Sequence, residues 1–187
     1  MRSILLLLPL LLIYSPQALS LVYSGVVTTT QKKVRIKEGR LKRSFELIFA
    51  SPEIENLIRQ LSVNDQISFD GARSSTSNVI RVNSVYYVGL VKLIATWRGS
   101  DDYCYNFTSF TELIIYPSKK SSCNFEPSFS RKYAYTINPG QPGWMMLLSD
   151  NSANYVADLT IKNSRLAEIS LYDLYTGDIL RVIKLRK

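Results

Sequence analysis

Seven cations, Lys32, Lys33, Arg35, Lys37, Arg40, Lys42 and Arg43, stand against one acid, Glu38, within twelve residues. A net charge of +6 in so short a stretch can engage phosphates, lipid headgroups or acidic glycans. Lys33-Val34-Arg35-Ile36-Lys37 alternates with a period of two, so an extended backbone puts the cations on one face and the apolar residues on the other. No aromatic residue lies in the run to stack a base, as a single-strand nucleic-acid platform requires. The competing reading is an edge strand that uses its lysines to block pairing with another chain. Lys33, Arg35, Lys37, Arg40, Lys42 and Arg43 are the candidate anion-binding residues.

Other chemistry is scarce. The chain has no histidine. That removes the imidazole base of Ser-His-Asp and Cys-His systems, and imidazole ligation of zinc or copper. Its two cysteines, Cys104 and Cys123, are expected to form a disulfide, which removes thiolate chemistry. No cofactor, metal site or catalytic residue is expected. The carboxylates offer one alternative, a hydrolase built on Glu112 or Asp101 with a second acid. Cleavage of glycosidic bonds would require two carboxyl groups roughly 5 to 9.5 Å apart in one cleft. Adjacent acids on an extended backbone diverge, so Asp101 and Asp102 read as a turn. Glu112 interrupts an apolar run and is expected to pair with Arg98 or Arg131.

The elements that must position these residues are mostly strands. Residues 22–30, 33–37 and 45–50 read as three strands. Ser51 as N-cap, Pro52 in the first turn and the acids Glu53 and Glu55 then start a helix over about residues 52–62. Ile54, Leu57, Ile58 and Leu61 form its apolar face, and Asn64-Asp65 ends it. Strands over residues 66–72 and 79–90 follow. Three strands, a helix and two strands is the element order of a five-stranded OB-type barrel, assigned to residues 21–90.

Residues 91–187 carry almost no helical periodicity and read as a second antiparallel domain, a sandwich or partly closed barrel clipped by the disulfide. Residues 103–116 form one long aromatic and β-branched run. Residues 123–130 read as irregular, and residues 138–143, with two prolines and two glycines, as a loop. Strands are expected at Trp144 to Leu148, through Tyr155, Ala157, Leu159 and Ile161, through Ala167, Ile169 and Leu171, and from Ile179 to Arg186, with turns at Asn163-Ser164 and Thr176-Gly177-Asp178. Leu90 to Leu93 is too apolar for a linker, so the halves are expected to pack rigidly. Twelve tyrosines, with Trp97 and Trp144, suit either a recognition surface or ordinary strands. Asn106-Phe107-Thr108 fits a glycosylation acceptor.

Ala95-Thr96-Trp97 is similar to the Gly-x-Trp opening of lipocalin barrels, with alanine in place of the glycine. The resemblance implies an eight-stranded barrel holding a small apolar ligand. About 95 residues is short for eight strands and their loops, and that carrier is an alternative here rather than the lead.

Arg2, the apolar run from Ile4 to Ile13 and the small residues before Leu21 have the grammar of a secretory signal, with cleavage expected after Ser20. The run is too short to span a bilayer, which takes about 20 apolar residues. No cysteine follows it to accept a lipid. Loss of residues 1–20 removes one cation of 23 and none of the 15 acids, leaving a net charge of +7. The sequence therefore reads as an exported, periplasmic or secreted, non-enzymatic binding module that prefers anionic partners: an anionic polymer, a membrane surface or an envelope protein. A structural envelope component is a further alternative.

Overall fold

A computed structural model describes residues 21–29, 34–39, 42–119, 122–140 and 143–187. The expected signal segment, Lys32, Lys33 and Arg40 lie outside the described residues. Among the described residues no helix is long and apolar enough to cross a membrane.

Thirteen strands and one α-helix follow one another among the described residues, and hydrogen bonding closes the strands into two barrels. The first holds β1 (Leu21–Thr29), β2 (Arg35–Glu38), β3 (Ser44–Phe49), β4 (Gln66–Arg73) and β5 (Val79–Gly89). β1 pairs antiparallel with β2 and β4, β2 with β3 and β4 with β5, while β3 and β5 close the ring in parallel. With α1 (Pro52–Arg59) between β3 and β4, this is the expected OB-type order. Val27, Ile36, Phe45, Phe69, Ile80 and Val82 fill the interior without exposed surface, and Ile58 of α1 is equally buried.

The helix begins as its sequence dictates. Ser51 accepts from the Ile54 amide at 3.4 Å, and Pro52 occupies the first turn, where no amide hydrogen is needed. It ends at Arg59, short of residue 62, because the amides of Gln60 and Leu61 turn to carbonyls three residues back. Asp65 then takes the Ser62 amide at 2.6 Å. The same carboxylate accepts from Val91 at 2.7 Å and so ties the first barrel to the start of the second. Tyr87 donates to the Phe110 carbonyl at 3.3 Å and Val88 pairs with Ile137 across the same junction.

The second set of strands is antiparallel throughout, as expected, and closes into a full ring. Its strands are β6 (Ala95–Gly99), β7 (Tyr103–Phe107), β8 (Glu112–Pro117), β9 (Arg131–Gly140), β10 (Gly143–Ser149), β11 (Asn154–Asn163), β12 (Leu166–Tyr172) and β13 (Ile179–Arg186). Each pairs antiparallel with the next, and β13 returns to β6 through Leu185 opposite Gly99 and Arg186 opposite Arg98. Short hairpins let eight strands fit into this length. The expected run over 103–116 is two strands, because residues 108–111 reverse the chain with the Thr111 amide bonded to the Ser109 hydroxyl at 3.2 Å. The expected loop over 138–143 is largely strand: Asn138 pairs with Met145 and Gly140 with Gly143, whose φ of 107° only glycine adopts without strain.

Candidate functional site

Alternation along the second barrel sends Trp97, Phe107, Tyr135, Ile137, Met146 and Leu159 into its lower half, where each is at most 6% exposed. The upper half is not filled. A cavity of about 430 Å³ opens there, within the 300–1,000 Å³ range of small-molecule sites. Every strand from β7 to β13 contributes to its wall, and the β6–β7 turn adds Asp101.

The deep wall is apolar: Leu113 from β8, Leu148 from β10, Ile169 from β12 and Ile183 from β13 are all nearly inaccessible. Tyr105 and Tyr133 stand above them, and Tyr133 meets Tyr155 edge to face at 6.2 Å between centroids. The rim is open, with Phe129 64% and Tyr103 41% exposed. Phe129 reaches the rim from a 3₁₀ turn (Pro127–Phe129) at the end of the loop joining β8 to β9. That loop is fastened by the Cys104–Cys123 disulfide, whose Cα atoms are 5.7 Å apart. Tyr116 and Phe125 pack edge to face beside it.

One buried polar cluster marks the mouth. Asp101, with a side chain only 5% exposed, accepts from the Tyr105 hydroxyl at 2.7 Å and the Tyr103 amide at 3.4 Å. Arg181 of β13 approaches the same carboxylate at 3.5 Å. Burial, then the hydrogen bond to Asp101, pushes the Tyr105 hydroxyl well above the usual phenol range, so it stays a donor. Gly99 makes the cluster possible: a Cβ there would collide with Asp101 Oδ1 and lie 2.6 Å from the Tyr105 ring. Asp102, with φ of 62°, turns away to Arg98 at 3.7 Å. The two acids diverge as expected, yet Asp101 is a cavity residue and not merely part of a turn.

Glu112 lies at the other end of the barrel. Its partner is Lys132, with Thr108 donating at 2.9 Å, and neither Arg98 nor Arg131 is involved. Among the described residues Asp101 is the one carboxylate lining the large cavity. A shallower groove between α1, β5 and the β9–β10 hairpin is lined by one acid, Glu53. Neither cavity is lined, among the described residues, by the pair of acids that a carboxylate hydrolase needs. Among the described residues no three Cys, Asp or Glu side chains converge as a metal cage.

The cationic residues of β2 lie on the outside of the first barrel. Arg35 donates to the Ser44 hydroxyl at 3.2 Å and stands opposite Glu46. Lys37 points to solvent while Val34 and Ile36 are buried, as the alternation predicts. Lys42, with φ of 51°, and Arg43 are exposed in the following connection. Strand β2 is hydrogen-bonded on both sides, by β1 and β3. It is not an edge, so its cations are not there to block pairing. None of the four lines either cavity. The cavity in the second barrel escaped residue-type reasoning because its three charged members are distant in sequence and meet only through the ring closure. The Gly-x-Trp-like opening at residues 95–97 was the signal nearest to it. No protein-family model, curated protein or solved structure matches this chain.

Proposed function

We propose that this protein is an exported, non-enzymatic carrier that holds one small molecule with an apolar body in the mouth of its eight-stranded barrel. The observation that carries this reading is the cavity of about 430 Å³ inside a closed ring, apolar in its depth and polar only at its rim. Barrels of this strand number are wide enough either to fill with side chains or to hold one small ligand. The disulfide supports an oxidising destination, and the lack of histidine supports binding over catalysis.

The test is binding of the neutral fluorophore N-phenyl-1-naphthylamine. Saturable, stoichiometric binding is expected, with affinity lowered at least tenfold by Ile115→Trp, which places an indole in the cavity without touching the barrel floor. No saturable binding, or binding indifferent to Ile115→Trp, overturns the reading.

A second reading rests on β2. Because the strand is internal, Arg35, Lys37, Lys42 and Arg43 form an outward cationic surface with no role in edge protection, and an anionic polymer or lipid surface is its natural partner. Retention on immobilised heparin across a salt series, compared with a Lys33→Gln, Arg35→Gln, Lys37→Gln variant, checks it. Equal elution of the two proteins discards this surface.

A further inference from the structure

We propose that the molecule held in the barrel is an amphipathic anion whose head is received by Arg131. This rests on the carrier reading above and specifies the ligand class. Among the described residues three ionic side chains line the cavity: Asp101, Arg131 and Arg181. Asp101 and Arg181 face each other, and Tyr105 completes the carboxylate's bonding, so that pair is internally compensated. Arg131 remains. Among the described residues its guanidinium has no hydrogen bond or ion pair. The acid it feels is Asp150, in the β10–β11 turn. Oδ1 of Asp150 is already engaged by the Ser152 amide, the Ser152 hydroxyl and the Ala153 amide, each at 2.8 Å.

Position adds to charge. Arg131 opens β9 directly opposite Ile115 of β8, and both line the cavity. Tyr133, two residues on and on the same face, reaches deeper. A molecule seated on Leu113, Leu148 and Ile169 therefore shares its cavity with the Arg131 guanidinium, held nearer the surface than Tyr133 on the same strand face. A neutral molecule filling the mouth would strip water from that guanidinium and give nothing in return, whereas a carboxylate can meet it with two parallel hydrogen bonds. The formal charge of the lining, two arginines against one aspartate, has the same sign. Arg181 is the poorer receptor, because an incoming anion would have to compete with Asp101.

The experiment displaces N-phenyl-1-naphthylamine from the full chain with decanoate, decanol and decylammonium, three molecules that share a tail and differ in the head. Decanoate is expected to compete at least tenfold better than decanol, decylammonium worst of all, with the advantage of decanoate shrinking as salt rises. Arg131→Gln should erase the decanoate advantage while leaving decanol unchanged. Arg131→Lys should restore part of it, and Arg98→Gln, outside the cavity, should leave it intact. Equal competition by decanoate and decanol in the wild type, or an undiminished decanoate advantage in Arg131→Gln, overturns the anion assignment and leaves the carrier standing. Failure of the fluorophore itself to bind removes the carrier, and this inference with it.

Discussion

Lys187 holds its ammonium 4.4 Å from the centroid of the Trp97 ring while donating to the Lys92 carbonyl at 2.8 Å. Trp97, fully buried, donates from its indole to the Leu93 carbonyl at 2.8 Å. The short 3₁₀ turn (Val91–Leu93) that joins the two barrels is thereby fastened to the last residue and to the first strand of the ring. Because β13 and β6 share only two register pairs, this contact helps to hold the ring shut at its weakest seam. Lys187→Ala should cost about 1 kcal/mol, the size of a partly exposed cation–π contact, and Lys187→Arg should retain most of it. Urea unfolding of the two variants checks this. Equal midpoints for Lys187→Ala and wild type would show that the seam does not depend on the contact.

Asp101 makes a different prediction, because it supports a buried hydroxyl. Asp101→Ala strands the Tyr105 OH in the cavity wall and should destabilise the barrel by about 1–3 kcal/mol. It also frees Arg181, so affinity for decanoate should rise even as stability falls. Asp101→Asn keeps an acceptor for Tyr105 and should recover most of the stability. Denaturation midpoints beside decanoate displacement separate the two effects, and a fall in decanoate affinity would contradict the assigned role of Asp101 as the counterion that occupies Arg181.

The exteriors and interiors of both barrels are legible in the sequence wherever period-two alternation is strict, as at Val34-Arg35-Ile36-Lys37, because a closed sheet wets one face and buries the other. The helix start is legible too, since Ser51 and Pro52 act locally. What stays hidden depends on register. The reversal at residues 108–111 contains hydroxyl and aromatic residues without glycine or proline, so nothing local marks it. Asp101 and Arg181 are 80 positions apart and meet only once β13 closes on β6. Arg131 carries no local signal at all: its importance comes from a cavity whose wall seven strands share.

The disulfide ties the wall of the barrel to the loop that delivers Phe129 to the mouth. Closing a loop with a sequence separation of 19 should stabilise the fold by about 3 kcal/mol by the chain-entropy estimate. Cys104→Ala with Cys123→Ala should lose that amount and also loosen Phe129 from the rim, raising the dissociation rate of the fluorophore more than it lowers the association rate. Stopped-flow binding distinguishes this from a purely global effect. Unaltered dissociation in a destabilised variant would mean that Phe129 does not retain the ligand.

Acid should unfold this protein against one internal opponent. Glu112 is held below its ordinary range chiefly by Lys132, Glu168 by Lys162, and Asp150 and Asp173 by backbone amides in their own turns. For each of these the folded pKa is below the unfolded one, so its stabilisation is present above the unfolded value and is lost as pH falls through the folded value. Asp65 runs the other way. Burial between the two barrels raises its pKa, against the Ser62 and Val91 amides and the charge of Lys92. It takes up a proton in the folded state before it would in the unfolded chain, so between those two values its contribution grows more favourable as pH falls. Asp65→Asn deletes that opposing term. The variant should be less stable at pH 7, having exchanged a two-amide acceptor for a side chain with one accepting oxygen. Its urea midpoint should also fall more steeply than that of the wild type between pH 6 and pH 3. A shallower fall would mean that the Asp65 carboxylate is stabilised by the junction, and that its two amide bonds and Lys92 outweigh its burial.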